Sequence, residues 1–174
     1  MTISRGLNSG KSRSNILATI AISLLFLSFA SYLSAQSVSF SGTWAFNESK
    51  STPAQGGPRF APVLMVITQE GNNLTVERTS KGQNGEDMKT TSKFTLDGKE
   101  CVNQGFQNST RKSTVTWSAD KKSLAFAHTM TFNENDMKFA ETWKLNETDK
   151  TLAVETVFNG QDGEMKTTNV YDKK

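Results

Sequence analysis

One histidine and one glutamate frame the first chemical possibility. His128 is the sequence's single histidine. It lies in the alternating run Ser123–Phe132, where Leu124, Phe126, His128, Met130 and Phe132 share a face. After Asn133-Glu-Asn-Asp136, a second alternating run puts Met137, Phe139, Glu141, Trp143 and Leu145 on one face. A loop at 133–136 sets Phe126 against Trp143 and His128 against Glu141. A carboxylate beside an imidazole raises its pKa and keeps a proton-transfer group oriented. Among Phe126, Met130, Phe139 and Trp143, that is acid–base equipment in an apolar cavity. It is equally a satisfied polar pair that plugs or hydrates the interior. Catalysis also needs a nucleophile, metal or cofactor, and no such motif accompanies the pair. The expectation is a protein that is not an enzyme, with no catalytic residues, no cofactor and no metal.

A repeat extends the polar pair into a level. Leu74-Thr-Val-Glu77, Gly82-Gln-Asn-Gly-Glu86 and Met88-Lys-Thr-Thr91 are echoed by Leu152-Ala-Val-Glu155, Gly160-Gln-Asp-Gly-Glu164 and Met165-Lys-Thr-Thr168. Asn84-Gly85 and Asp162-Gly163 suit tight hairpin turns, whose residues must tolerate positive φ. Turns at Asp120-Lys121 and Asp149-Lys150 precede the two later units. A tip at Asp162-Gly163 pairs Val154 with Tyr171 and Thr156 with Asn169. With the extra Asp87 read as a β-bulge, Val76 faces Phe94 and Arg78 faces Ser92. Each hairpin then carries an apolar–aromatic pair and, two residues nearer the turn, a polar pair. Arg78, Ser92, His128, Glu141, Thr156 and Asn169 either converge on a ligand head group or face water at a mouth, and barrel stagger could separate them. The candidate ligand-binding set is Arg78, Phe126, His128, Met130, Phe139, Glu141, Trp143, Thr156 and Asn169. The Gly-rich loops lack the lysine of a phosphate loop and the carboxylate series of a calcium loop.

Further strands are expected at Thr43–Asn47, Val63–Gln69, weakly near Lys99–Asn103, and at Ser113–Ser118. Glu48–Pro62 reads as a mobile Pro/Gly loop. The expected fold is all-β: an antiparallel up-and-down meander of about 8–10 strands, ten by this reading, closed into a barrel to remove its edges.

The first residues read as an address. A basic, polar segment precedes the apolar run Ile16–Leu33, and Ser34-Ala35-Gln36 supplies small residues for a signal peptidase. The expected division is a signal peptide, helical in its apolar part, over 1–35 and a barrel over 36–174. Export to the periplasm or outside the cell follows, with an uncleaved N-terminal anchor as the alternative. No stable membrane anchor is expected after cleavage. The net charge is +3. Arg5, Lys11 and Arg13 account for that excess, so the remainder is balanced and no nucleic-acid partner is expected. The lone Cys101 rules out an internal disulfide and reads as a small buried hydrophobe. Asn47, Asn73, Asn108 and Asn146 begin glycosylation patterns, which chance also produces in a chain this rich in Asn, Ser and Thr.

Ser41-Gly42-Thr43-Trp44 opens the first strand and resembles the Gly-x-Trp signature of lipocalins, with a similar Gly-Thr-Trp in avidins. Both are calycins, small meander barrels with fatty-acid-binding proteins as a ten-stranded relative. The likeness covers Ser37–Lys174 as architecture and Gly42–Trp44 as motif, without a second lipocalin motif or a helical lid. More generally the chain is similar to small exported bacterial lipocalin-like proteins. The resemblance implies a structural barrel-base role for Gly42 and Trp44, with an arginine, Arg78 or Arg111, packed beside the indole. Two functions remain: carriage of a small apolar or amphipathic ligand in the barrel, or a protein-interaction, inhibitor-type or envelope-associated role through the 48–62 loop.

Overall fold

Alternation of apolar and polar residues, punctuated by short turns, produces ten consecutive strands. The computed structural model describes Met1 and residues 37–53, 61–105, 109–132, 135–160 and 163–174. The strands are β1 (Gly42–Thr52), β2 (Leu64–Glu70), β3 (Asn73–Lys81), β4 (Asp87–Thr95), β5 (Cys101–Gln104), β6 (Thr110–Trp117), β7 (Ser123–Phe132), β8 (Asn135–Asn146), β9 (Thr151–Gly160) and β10 (Gly163–Lys173). The spatial order is β4-β3-β2-β1-β10-β9-β8-β7-β6-β5. First and last strands pair, and the result is an all-β, nearly closed barrel of ten antiparallel strands.

The chain divides into Met1–Ala35 and Gln36–Lys174. The signal-segment and signal-helix expectations fall on residues 2–36, outside the described residues. Among the described residues, no helix is long and apolar enough to cross a membrane. Residues 54–60, which carry much of the Pro/Gly loop, also lie outside them. Glu48–Thr52, expected as loop, continue β1 through an irregularity where the β10 register shifts between Asn47 and Thr52. There the Ser51 hydroxyl donates to the Asn47 carbonyl at 2.6 Å and accepts the Val170 N–H at 2.9 Å. The side chain supplies bonds that the interrupted ladder omits.

Inward positions of the lower barrel form one core. Trp44, Leu74, Phe94, Phe126, Trp143 and Tyr171 are buried within it. Phe40 plugs the base, 6.0 Å from the Trp117 ring and 6.2 Å from that of Trp143. Its carbonyl accepts the Trp44 Nε1–H at 3.0 Å, and its N–H donates to Gln69 Oε1 at 3.0 Å. Gly42 makes the bend from this plug into β1 at φ +147°, a conformation that disfavours any side chain. The cation over Trp44 is Lys173, at 5.4 Å from the ring centroid, rather than either arginine named from the sequence.

All three expected hairpin registers are displaced by two residues. Val154 pairs with Asn169 and Tyr171 with Leu152, because the ladder runs out to Gly160↔Gly163. Phe126 pairs with Glu141, His128 with Phe139 and Leu124 with Trp143, because β7 and β8 are joined by two residues, 133–134. Val76 pairs with Ser92 and Arg78 with Thr90. Asp87 is no bulge: it pairs with Lys81, and the extra length lies in a loop closed by the Gly82 N–H to the Glu86 carbonyl at 2.8 Å. A shift of two preserves which side chains share a face, so parity survives while depth changes.

Candidate functional site

The three hairpins with echoed sequences point their turns to the same end of the barrel, the mouth. Near those turns, residues 87–91, 135–138 and 163–166 are exposed on both faces. Met88, Met137 and Met165 carry inward parity there and are 50%, 36% and 46% exposed. The upper half is therefore an open cup. Met130 and Phe158, the ladder partners of Met137 and Met165, and Phe139, one inward position nearer the base than Met137, are half-buried.

Between cup and core lies a charged layer. Glu141 on β8 reaches Arg78 on β3, with Oε2 3.8 Å from Nη2. The same oxygen accepts the Trp143 Nε1–H at 2.8 Å. Arg78 also stands over the Trp143 ring at 5.7 Å. Arg111 on β6 donates from Nη2 to Ser92 Oγ on β4 at 2.6 Å. His128 lies between the Phe126 ring, at 5.8 Å, and the Phe139 ring, at 4.5 Å. Its Nδ1 is 2.8 Å from Ser113 Oγ, and its Nε2 is 3.9 Å from Glu141 Oε1. The two are diagonal neighbours rather than the direct cross-strand pair expected.

The electrostatics reverse one expectation. Burial pushes the His128 pKa down to about 4, and the charges of Arg111 and Arg78 add to that, while Glu141 only partly opposes it. The expected net raising does not occur, and the ring is neutral at neutral pH. Burial pushes Glu141 upward, but Arg78, His128, the Trp143 N–H and Arg111 together hold its carboxyl below its ordinary value. Burial and the neighbouring Arg78 charge both lower the Arg111 pKa. Burial keeps Tyr171, the ladder partner of Leu152, a neutral phenol.

A lone pair on His128 Nε2 would face the Glu141 carboxylate. The favoured tautomer therefore carries its proton there, with Nδ1 accepting from Ser113. Arg78 Nη1, Arg111 Nε and His128 Nε2 are then three buried donors without a hydrogen-bond partner among the described residues. Each such donor costs about 1–3 kcal/mol. The cluster gains most from whatever brings oxygen atoms to it. As a hydrolytic centre it is poorly arranged, since Ser113 is buried and its histidine is a weak base.

The structure thus gathers Arg78, His128, Glu141 and Trp143. Phe126 and Trp143 are packed below the layer, while Met130 and Phe139 belong to the cup. Thr156 is the ladder partner of Glu141, and Asn169 that of Val154. Both are half-buried. Arg111 and Ser113 were missed as site residues. They alternate with Val115 on β6, but the expected strand began at Ser113, and Arg111 was named only as a candidate to pack beside Trp44. Clefts of about 420 Å³ and 240 Å³ lie elsewhere, the first beside Val38 and Leu145, the second beside Phe94 and Cys101. Among the described residues, no cluster of His, Cys, Asp and Glu is arranged to hold a metal ion.

No protein-family model matches the sequence, and no curated protein matches it significantly. Among solved structures, the chain is similar to zebrafish ileal bile acid-binding protein, crystallised with cholic acid. The match has a TM-score of 0.54 at 18% identity and covers 78% of this chain and 98% of the other. At that identity the likeness shows the fold alone: a ten-stranded antiparallel meander barrel.

Proposed function

We propose that the barrel binds a small amphipathic ligand, its acidic end at the Arg78–Arg111 layer and its apolar part beside Met130, Phe139 and Phe158. The observation that carries this reading is the layer's charge imbalance. Among the described residues, two guanidiniums share one carboxylate, and His128 adds no charge at neutral pH. An acidic head group balances the layer and supplies oxygens to its unpartnered donors. The zebrafish protein's complex with cholic acid, itself an amphipathic acid, supports the choice of ligand class. Calorimetric titration tests it with acid–neutral pairs: cholate against its methyl ester, and dodecanoate against dodecanol. The acids should bind and their neutral partners bind about tenfold more weakly or worse. Equal affinities within a pair would remove the arginines from the recognition, and binding by none would remove the ligand.

The same reading places the protein outside the cytoplasm as a carrier, in the periplasm or secreted. Its support is the order of basic, apolar and small-residue segments before Gln36. N-terminal sequencing of protein recovered outside the cytoplasm should begin near Gln36. An intact Met1 in a membrane fraction would mean an anchor.

A further inference from the structure

The methionines are unevenly placed along the barrel. Met65 belongs to the core and is 2% exposed. Met88, Met137 and Met165 hold equivalent positions in three hairpins, each followed by a lysine, and stand exposed on the inner wall of the cup. Met130, the ladder partner of Met137, is half-buried beside them. The exposed three lose little surface to folding and so add little to the core. A thioether is nevertheless an apolar group that mild oxidants convert, reversibly, into a polar one.

Met130 differs from the other three in its second neighbour. Its partner across the β6–β7 ladder is Arg111. Directly opposed residues hold their Cβ atoms about 4.5–5.5 Å apart, and both side chains here carry inward parity. Arg111 Nη2 donates to Ser92 Oγ, while Nε is buried without a partner among the described residues. Ser109 Oγ is in the same condition. It lies close by: a Cβ built on Gly105 would meet both the Ser109 hydroxyl and Met130 Sδ, the latter at 3.1 Å. Two orphaned donors therefore flank one sulfur. A thioether is only a weak acceptor for them. The S–O oxygen of a sulfoxide is a strong one. Met88 and Met165 face Ser80 and Phe158 across their ladders, neither of which is a cation.

We infer that Met130 is a redox-responsive modification site: a peroxide converts it to the sulfoxide, whose oxygen takes the Arg111 Nε–H and screens that arginine from an acidic head group. The thioether sulfur attacks one peroxide oxygen, the O–O bond breaks and an S–O bond forms. Sulfur is oxidised by two electrons. The departing hydroxide takes the proton from the delivered oxygen and leaves as water. The modification and its bond to Arg111 do not depend on the proposed ligand; the loss of affinity rests on that reading.

The test uses the full chain carrying Met88→Leu, Met137→Leu and Met165→Leu, which leaves Met130 as the methionine of the cup. After hydrogen peroxide, peptide mass spectrometry should find Met130 oxidised at least about tenfold faster than Met65. Equal rates would mean that oxidants do not reach Met130 in the folded barrel, and would overturn the site. NMR of the Arg111 Nε–H reads the bond. On oxidation its signal should shift and its exchange with water should slow about tenfold. Met130→Gln in the same background places an amide oxygen there permanently and should show the protected signal without peroxide. With Met130→Leu, peroxide should leave the signal unmoved. An Arg111 signal indifferent both to the sulfoxide and to Met130→Gln would separate the two residues. Dodecanoate affinity should fall about tenfold on oxidation and recover on treatment with methionine sulfoxide reductases, and should change less than about twofold once Met130→Leu is added. A shifted Arg111 signal with unchanged affinity would overturn the screening. Dodecanoate that fails to bind before oxidation would count against the binding proposal, leaving the modification to the Arg111 result.

Discussion

The two halves of the same hairpins have opposite environments. Toward the base, inward residues such as Leu124, Val76 and Leu152 are fully buried. Toward the mouth, the equivalent positions Met88, Met137 and Met165 are exposed, although parity gives them the same face. Apolar character alone does not decide burial here. The base is closed by Phe40, whereas the hairpin ends at the mouth are open on both faces. The charged layer sits at the boundary, where its desolvation is tolerable and its reach into the cup is retained. The lower half should therefore carry stability and the upper half affinity.

The sharpest way to break this division is Trp143→Ala. The indole is fully buried, bonded to Glu141 and packed at 4.6 Å against the Phe126 ring. Its loss should cost roughly 3–5 kcal/mol in denaturant unfolding. A cost below about 1 kcal/mol would mean that the lower half is not a packed core.

Next comes pH. Unfolded histidine protonates near 6.5, and folded His128 near 4. Between those values the unfolded chain binds more protons. The stabilisation is complete above about pH 6.5 and is lost progressively as pH falls toward 4. Unfolding free energy should drop by about 2 kcal/mol from pH 7 to pH 5, a range over which most carboxylates stay ionised. His128→Gln should flatten that slope; an unchanged slope would show that His128 is not the group responsible.

The charged layer itself gives smaller effects of opposite sign. Arg111→Met should weaken binding of an acidic amphiphile about tenfold by removing one guanidinium. Glu141→Gln should strengthen it, because the competing carboxylate is gone while an acceptor for Trp143 Nε1 remains. The same variant should push the His128 pKa lower still, since Glu141 is the charge that raises it. NMR titration of the single histidine reads this directly. Equal responses of both variants in the affinity assay would separate the layer from the ligand.

How far the sequence could go is visible in the hairpins. Alternation assigned Phe126, His128, Glu141 and Trp143 to one interior, because facing is decided residue by residue. Depth depends on which residues make the turn. Asp162-Gly163 is a good turn pair, yet Gly163 is already in the ladder, paired with Gly160 at φ +112° as the first residue of β10. That small change moves each partner by two. The meeting of Glu141 with Arg78 depends on closure and stagger, which no single hairpin encodes. Cys101 departs from its expectation for a related reason: the strand order ends between β4 and β5, and there the thiol, expected as a small buried hydrophobe, is half-buried and accepts the Thr95 N–H at 3.2 Å.

The smallest predicted effect on stability tests the upper half by itself. Met165 lies on β10 opposite Phe158, with inward parity and 46% exposure. Little of its surface leaves water on folding, so Met165→Ala should change unfolding free energy by less than about 0.5 kcal/mol. An amphiphile in the cup would cover that side chain, and truncation removes apolar area worth about 25 cal/mol per Å² covered. Affinity for dodecanoate should therefore fall severalfold while stability stays put, the reverse of the pattern for a packed position. A stability loss above about 1 kcal/mol, with affinity unchanged, would place Met165 in a closed core and erase the distinction between the two halves.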